Sequence, residues 1–173
     1  MKKALLLLAV LLLVASPVMA KEGFYLGVFY PAETISGDAG STTTTSSGGG
    51  WGLRLGEGFN RYLSIEARYS DTTHDSTHLK GLAGDLKLNF PLTSLDSAQI
   101  MTFEPYIMGG YVHYELSGFG SPQSNGLQYG IGVELYLFRE LSIQAGWTDS
   151  KVEFNSNSGD VKTVDFGLIY HFI

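Results

Sequence analysis

The chain has 173 residues, a formal net charge of −6 and no cysteine, with ten tyrosines, ten phenylalanines and 22 glycines. An acid excess disfavours a nucleic-acid partner, and the lack of cysteine excludes a disulfide framework. Abundant glycine and aromatics, with few long polar helical segments, point to an all-β chain.

Lys2 and Lys3 precede a wholly apolar run from Ala4 to Ala15, followed by "SPVMA" with small residues at the cleavage positions. That run is short of the roughly 20 residues that a membrane helix needs. Residues 1–20 therefore read as a cleaved secretory signal peptide, and residues 21–173 as one domain. Eight period-2 runs follow, near 23–30, 49–56, 62–70, 81–90, 104–115, 126–137, 141–149 and 162–172. Each is close to the roughly 9–11 residues with which a tilted strand crosses a bilayer.

In most runs one parity is apolar and free of charge. It carries Phe24, Leu26, Val28 and Tyr30 in the first run, Leu127, Tyr129, Ile131 and Val133 in the sixth, and Val164, Phe166, Leu168 and Tyr170 in the eighth. The other parity carries glycine together with Arg54, Glu66, Arg68, Asp85, Lys87, Glu134, Gln144, Asp165 and His171. In the fifth run, Pro105 and the Gly109–Gly110 pair suggest a bulge and leave the phase open. Aromatics gather at the run ends, with Tyr30, Trp51, Tyr69, Tyr114 and Trp147 at one rim and Phe24, Tyr62, Phe90, Tyr136, Phe138 and Phe172 at the other. Such rings favour a lipid–water boundary.

The connections alternate in character. Residues 31–48, 71–80, 116–125 and 150–161 are polar and read as surface loops on one side, with "GSTTTTSSGGG" as a mobile low-complexity tract. "EGFNR" and "FRE" read as tight turns on the other side, where 91–103 is longer than the pattern asks. The expected fold is an eight-stranded antiparallel up-and-down transmembrane β-barrel, its apolar face turned to lipid. An interior this narrow must mix glycine with interlocking polar groups.

Charge pairing sets an expected register. Glu66 opposite Lys87 places Arg68 opposite Asp85, whereas a shift of two residues sets like charges face to face. The tight turn after Gly56 puts Arg54 diagonal to Glu66. Arg54, Glu66, Arg68, Asp85 and Lys87 are thus expected to form one buried network, joined across the lumen by Glu134 and Asp165, that closes the barrel to wide diffusion.

With "GFYLGVFY", "YGIGVELYLFRELSIQAGW" and the final "VDFGLIYHFI", the chain resembles the small OmpA-like outer-membrane β-barrels, including the OmpX, OmpW and opacity-type relatives. The resemblance implies a monomer in a Gram-negative outer membrane, contacting outer-membrane lipids and lipopolysaccharide and inserted by the outer-membrane assembly machinery. Family members commonly end on an aromatic residue, whereas here Phe172 is followed by Ile173. No segment resembling the peptidoglycan-binding domain of larger members follows the barrel, so no cell-wall tether is expected.

Some barrels that resemble this one modify lipid A with His, Ser and a carboxylate. The matching residues here are His74, Asp75, Ser76 and His78 in "THDSTH", but spacing within a polar loop does not make a triad, and three ligands without an orienting shell do not make a metal site. His113 reads as a rim residue. The expectation is a non-enzymatic barrel without cofactor or metal, serving envelope integrity, adhesion or surface interaction through the segments 31–48, 71–80, 116–125 and 150–161. The alternatives are a narrow conduit for small or apolar solutes and a lipid A-modifying enzyme.

Overall fold

The computed structural model describes residues 23–39, 42–75, 77–92, 102–117, 123–154 and 157–172; the expected leader and Ser76 lie outside them. The described strands are β1 (Gly23–Ala39), β2 (Thr42–Gly58), β3 (Leu63–His74), β4 (Thr77–Asn89), β5 (Thr102–Ser117), β6 (Gln123–Tyr136), β7 (Leu141–Phe154) and β8 (Asn157–His171). Each pairs with its sequence neighbours and β1 pairs antiparallel with β8, which closes the barrel. Closure leaves no open strand edge, the condition for crossing hydrocarbon with strands.

Both tight turns form at the end that holds Gly23 and Phe172. In the first, Asn60 Oδ1 accepts from the backbone N–H groups of Tyr62 and Leu63 at 2.8 and 2.9 Å, a side-chain substitute for ladder bonds. In the second, Leu137 N–H donates to Leu141 O at 2.9 Å.

At the opposite end the segments expected to be loops are mostly strand. β1 and β2 continue to Ala39 and Thr42, and the threonine run pairs with Ser36–Ala39. β3 and β4 close on the His74–Thr77 pair, and β7 and β8 on Phe154–Asn157. Segment 116–125 is strand at both ends, through Ser117 and from Gln123, with 118–122 outside the described residues. The alternation of side chains persists beyond the membrane level, and β-branched threonine suits a pleated ladder, so the backbone keeps its partners. The strands run 12 to 17 residues, longer than the roughly 9–11 a bilayer requires.

β5 contains no bulge. Its register is unbroken against β4 and β6, and Gly110 faces Asp85 on one side and Gln128 on the other. Gln128 Nε2 donates to Asp85 Oδ1 at 2.5 Å, and a Cβ on Gly110 would collide with that carboxylate. The glycine makes room for a side-chain bond and does not bend the strand. Pro105 lies opposite Phe90, just past the end of β4, its carbonyl accepting from Phe90 N–H at 2.8 Å, so its missing N–H falls beyond that strand.

Candidate functional site

Sidedness is as the alternation requires. Leu26, Val28, Leu53, Leu55, Ile65, Leu86, Ile107, Ile131, Phe166 and Leu168 face outward and are exposed, while Arg54, Glu66, Asp85, Lys87, Glu134, Gln144 and Asp165 are buried in the lumen. Two aromatics assigned to the rims turn inward instead. Tyr114 and Tyr136 are buried, because each shares the parity of the lumen side chains on its own strand. The remaining rim rings are outward; Trp51 lies on Tyr69 with centroids 5.6 Å apart, and Tyr129 on Trp147 at 6.1 Å.

Six of the seven expected network residues meet in the middle of the lumen. Arg54 Nη2 reaches Asp165 Oδ1 at 2.7 Å, Arg68 Nε reaches Asp85 Oδ2 at 2.9 Å, and Lys87 Nζ reaches Glu66 Oε2 at 3.3 Å. Longer contacts join these pairs: Arg54 to Glu66 at 3.8 Å, Arg68 to Glu66 at 3.9 Å and Arg68 to Asp165 at 3.7 Å. In these contacts three cations face three carboxylates. Buried charges persist only when paired and hydrogen-bonded. Tyr25 accordingly donates to Glu66 Oε2 at 3.0 Å, and Lys87 also reaches Gln144, which bonds Tyr106. Arg54 packs over Phe29 at 4.5 Å and Lys87 over Tyr106 at 4.4 Å, which lowers the cost of desolvating both cations. The rings of Phe29 and Tyr25 occupy the space that a Cβ on Gly52 or Gly56 would need.

The register that delivers these pairs is not the expected one. Glu66 lies opposite Asp85, Lys87 opposite Ser64, Arg68 opposite Ala83, and Arg54 opposite Arg68, two residues from the expected β3–β4 alignment. Both expected ion pairs nevertheless form, as diagonals. Arginine and lysine are long enough to reach a diagonal neighbour, and strand twist favours one diagonal over the direct partner. Glu66 and Asp165 then sit between cations, and like charges can face each other in the ladder. The connection joining His74 to Thr77 sets this register, with Asp75 at a φ of +54°, a conformation that aspartate tolerates.

Glu134 reaches toward the turn end. It accepts from Ser142 Oγ at 2.7 Å and lies 2.9 Å from His171 Nε2, with Ser142 Oγ 3.0 Å from the same nitrogen. Serine and carboxylate both sit on one imidazole nitrogen. A relay needs them on opposite nitrogens, so the trio is a packed polar cluster near the turn end. Sequence reading placed Gln128 and Gln144 on the inward parity without giving them a partner, and missed Tyr25, Phe29, Tyr106 and Ser142. Their signal was the inward parity itself, followed through uncharged residues.

The "THDSTH" candidates are pulled apart. His74 points into the lumen beside Thr72 at 3.3 Å and Glu33 at 3.7 Å, whereas His78 points outward to Asp71 at 3.1 Å. Opposite faces of one ladder cannot share a substrate or a metal. Among the described residues no group of three or more His, Asp or Glu side chains is placed to hold a metal ion. His113, expected at the rim, bonds Asn125 at 2.7 Å on the outer face.

Above the ion cluster the lumen changes character. Leu79, Ala83, Val112, Tyr114, Val152 and Val161 form a buried apolar layer with Ile35 and Leu116 against it. Between the two lies a cavity of about 20 Å³, bordered by Phe29, Glu33, Arg68, Tyr114, Gln128 and Thr163. That is the room of about one water molecule.

A closed cylinder with an apolar outer wall and an ionic, filled interior defines an integral-membrane β-barrel. The chain belongs to the family of outer-membrane protein β-barrel domains, whose model matches residues 6–172. Among solved structures it is similar to Neisserial surface protein A (NspA), at 15% identity and a TM-score of 0.68, covering 89% of this chain and 100% of that one. It is also similar to the N-terminal barrel of Pseudomonas aeruginosa OprF (16%, TM-score 0.54, 84% and 97% covered) and to Ail, the attachment invasion locus protein of Yersinia pestis (16%, 0.53, 86% and 99%). At these identities the likeness is one of fold. No curated protein matches the sequence.

Proposed function

We propose that the chain is a non-enzymatic outer-membrane barrel that acts through its outward wall and its outer hairpins, in envelope integrity, adhesion or surface interaction. One observation carries this reading: the lumen holds an ion cluster and an apolar layer, and the space between them is about 20 Å³. Room for about one water molecule between the two layers supports a reading in which the outside surface makes the contacts. The balance of charge around the outer hairpins favours uncharged or cationic partners over polyanions, since Asp71, Asp75, Glu115, Asp149 and Asp160 outnumber Lys80, Lys151 and Lys162. The outward, exposed ring of Phe172, next to the end of β8, offers the assembly machinery an aromatic handle.

The test combines fractionation with function. The purified protein should be recovered from outer membranes with heat-dependent gel mobility and give no discrete conductance in planar bilayers. Expression should leave the lipid A mass profile unchanged, and deletion in the native host should raise sensitivity to detergent or reduce surface attachment. Discrete conductance, or an altered lipid A mass that vanishes in His74→Ala, would replace the proposal with the conduit or the enzyme.

A further inference from the structure

The closed barrel has no open edge at membrane level, but its strands end unevenly beyond it. β2 pairs with β1 as far out as Thr42, whereas β3 accompanies β2 only to Gly49, opposite Thr73. Among the described residues, 42–47 therefore have a strand on one side and none on the other. At the other outer strand ends the unpaired stretch is shorter, the longest being residues 123–125 of β6. An open edge offers the N–H and C=O of every second residue to a further strand.

This edge carries none of the features that guard one. Its residues read "TTTTSS", with no charge and no proline, and the ladder to β1 runs without a bulge from Thr42 to Gly49. The run also matches itself. Laid antiparallel to its own copy it sets threonine or serine opposite threonine or serine, as Thr34 already faces Ser47 with hydroxyls 3.4 Å apart, and no like charges meet.

We propose that this edge of β2 pairs antiparallel with the same edge of a second copy of the chain, held in an opposed membrane. Symmetry fixes the arrangement. Antiparallel copies are related by a two-fold axis normal to the sheet, which makes the contact isologous. The hairpin continues the barrel wall, so that axis lies parallel to the membrane plane and turns the second barrel upside down. Two barrels in one membrane stand the same way up and cannot meet in this manner. Each contact is short, and many copies on two facing surfaces supply the avidity. The inference rests on the outer-membrane reading and names a partner for its outer hairpins.

Phosphatidylcholine vesicles carrying the purified barrel test the pairing by turbidity. Wild-type vesicles should cluster, and vesicles with T45K/S47K or with T45E/S47E should stay dispersed, because like charges then face each other across the edge. Mixing the two variants should restore clustering. The chain has no cysteine, so T44C and T45C, central to the run, report the contact directly. Mild oxidation of clustered vesicles should link one of them into dimers, and should link none of H78C on the outer wall of β4. Every variant should keep its heat-dependent gel shift. Dispersed wild-type vesicles, clustering indifferent to the charge variants, linkage at neither cysteine, or linkage in vesicles that stay dispersed would each overturn the proposal. A wild-type chain recovered in the soluble fraction without a heat shift would instead remove the outer-membrane reading beneath it.

Discussion

The lower and upper halves of the lumen solve the same problem with opposite chemistry. Near the tight turns and through the middle, the wall is apolar outside and the interior is ionic: Leu53 and Leu55 face out while Arg54 and Gly56 face in. Toward the outer hairpins the polarity inverts, with Lys80 and Lys162 outward while Leu79 and Val161 are buried inside. One continuous ladder passes from hydrocarbon to water, and the residues exchange faces at that crossing. The lower half is thus an inside-out core and the upper half an ordinary one. Whatever solvent wets the outside decides which class of side chain must fill the centre.

The largest break should come from Glu66, which contacts all three cations. Glu66→Ala leaves Lys87 and Arg54 short of a partner in a buried site, and urea unfolding in lipid vesicles, followed by gel mobility, should record a loss of about 3–5 kcal/mol. A loss below about 0.5 kcal/mol would mean that the ions do not act as a cluster. In the upper half, Leu79→Ala removes a fully buried side chain and should cost about 2–5 kcal/mol through lost burial and the cavity left behind. Calorimetry or the same urea series would detect it, and a negligible effect would mean that the apolar layer is not packed.

Combining the two sharpens the contrast. Glu66 and Leu79 belong to separate layers, so the double variant should match the sum of the singles within about 0.5 kcal/mol. A larger coupling energy would show that the layers are one unit. The smallest effect belongs to the outer wall, where His78→Ala removes an exposed contact to Asp71 and should change stability by less than about 0.5 kcal/mol. A clear destabilisation there would mean that the upper hairpins depend on their outer face as much as on the apolar layer within.

Much of this was legible in the chain because strand parity is a local property. Rows such as Leu127, Tyr129 and Ile131 declare an outward face, and the charges of the other parity declare a lumen. The same parity carried Tyr114 and Tyr136 inward, although their position near strand ends suggested a rim. The inverted upper half was also written as alternation, in Leu79–Lys80 and Val161–Lys162, but its serine and threonine content looked like loop. β-ladder bonding is blind to that composition as long as a partner strand lies alongside.

The sequence by itself determined the eight strands, the closed all-β class, which face meets lipid and that Arg54, Glu66, Arg68, Asp85, Lys87, Glu134 and Asp165 are buried, because each depends on residues two apart on one strand. Only the tertiary structure decided the β3–β4 register, the diagonal form of the ion pairs, the unbent path of β5 through Gly110 and the separation of His74 from His78. Those features depend on how far a long side chain reaches across a twisted ladder and on what another strand leaves room for. No single run of residues contains that information.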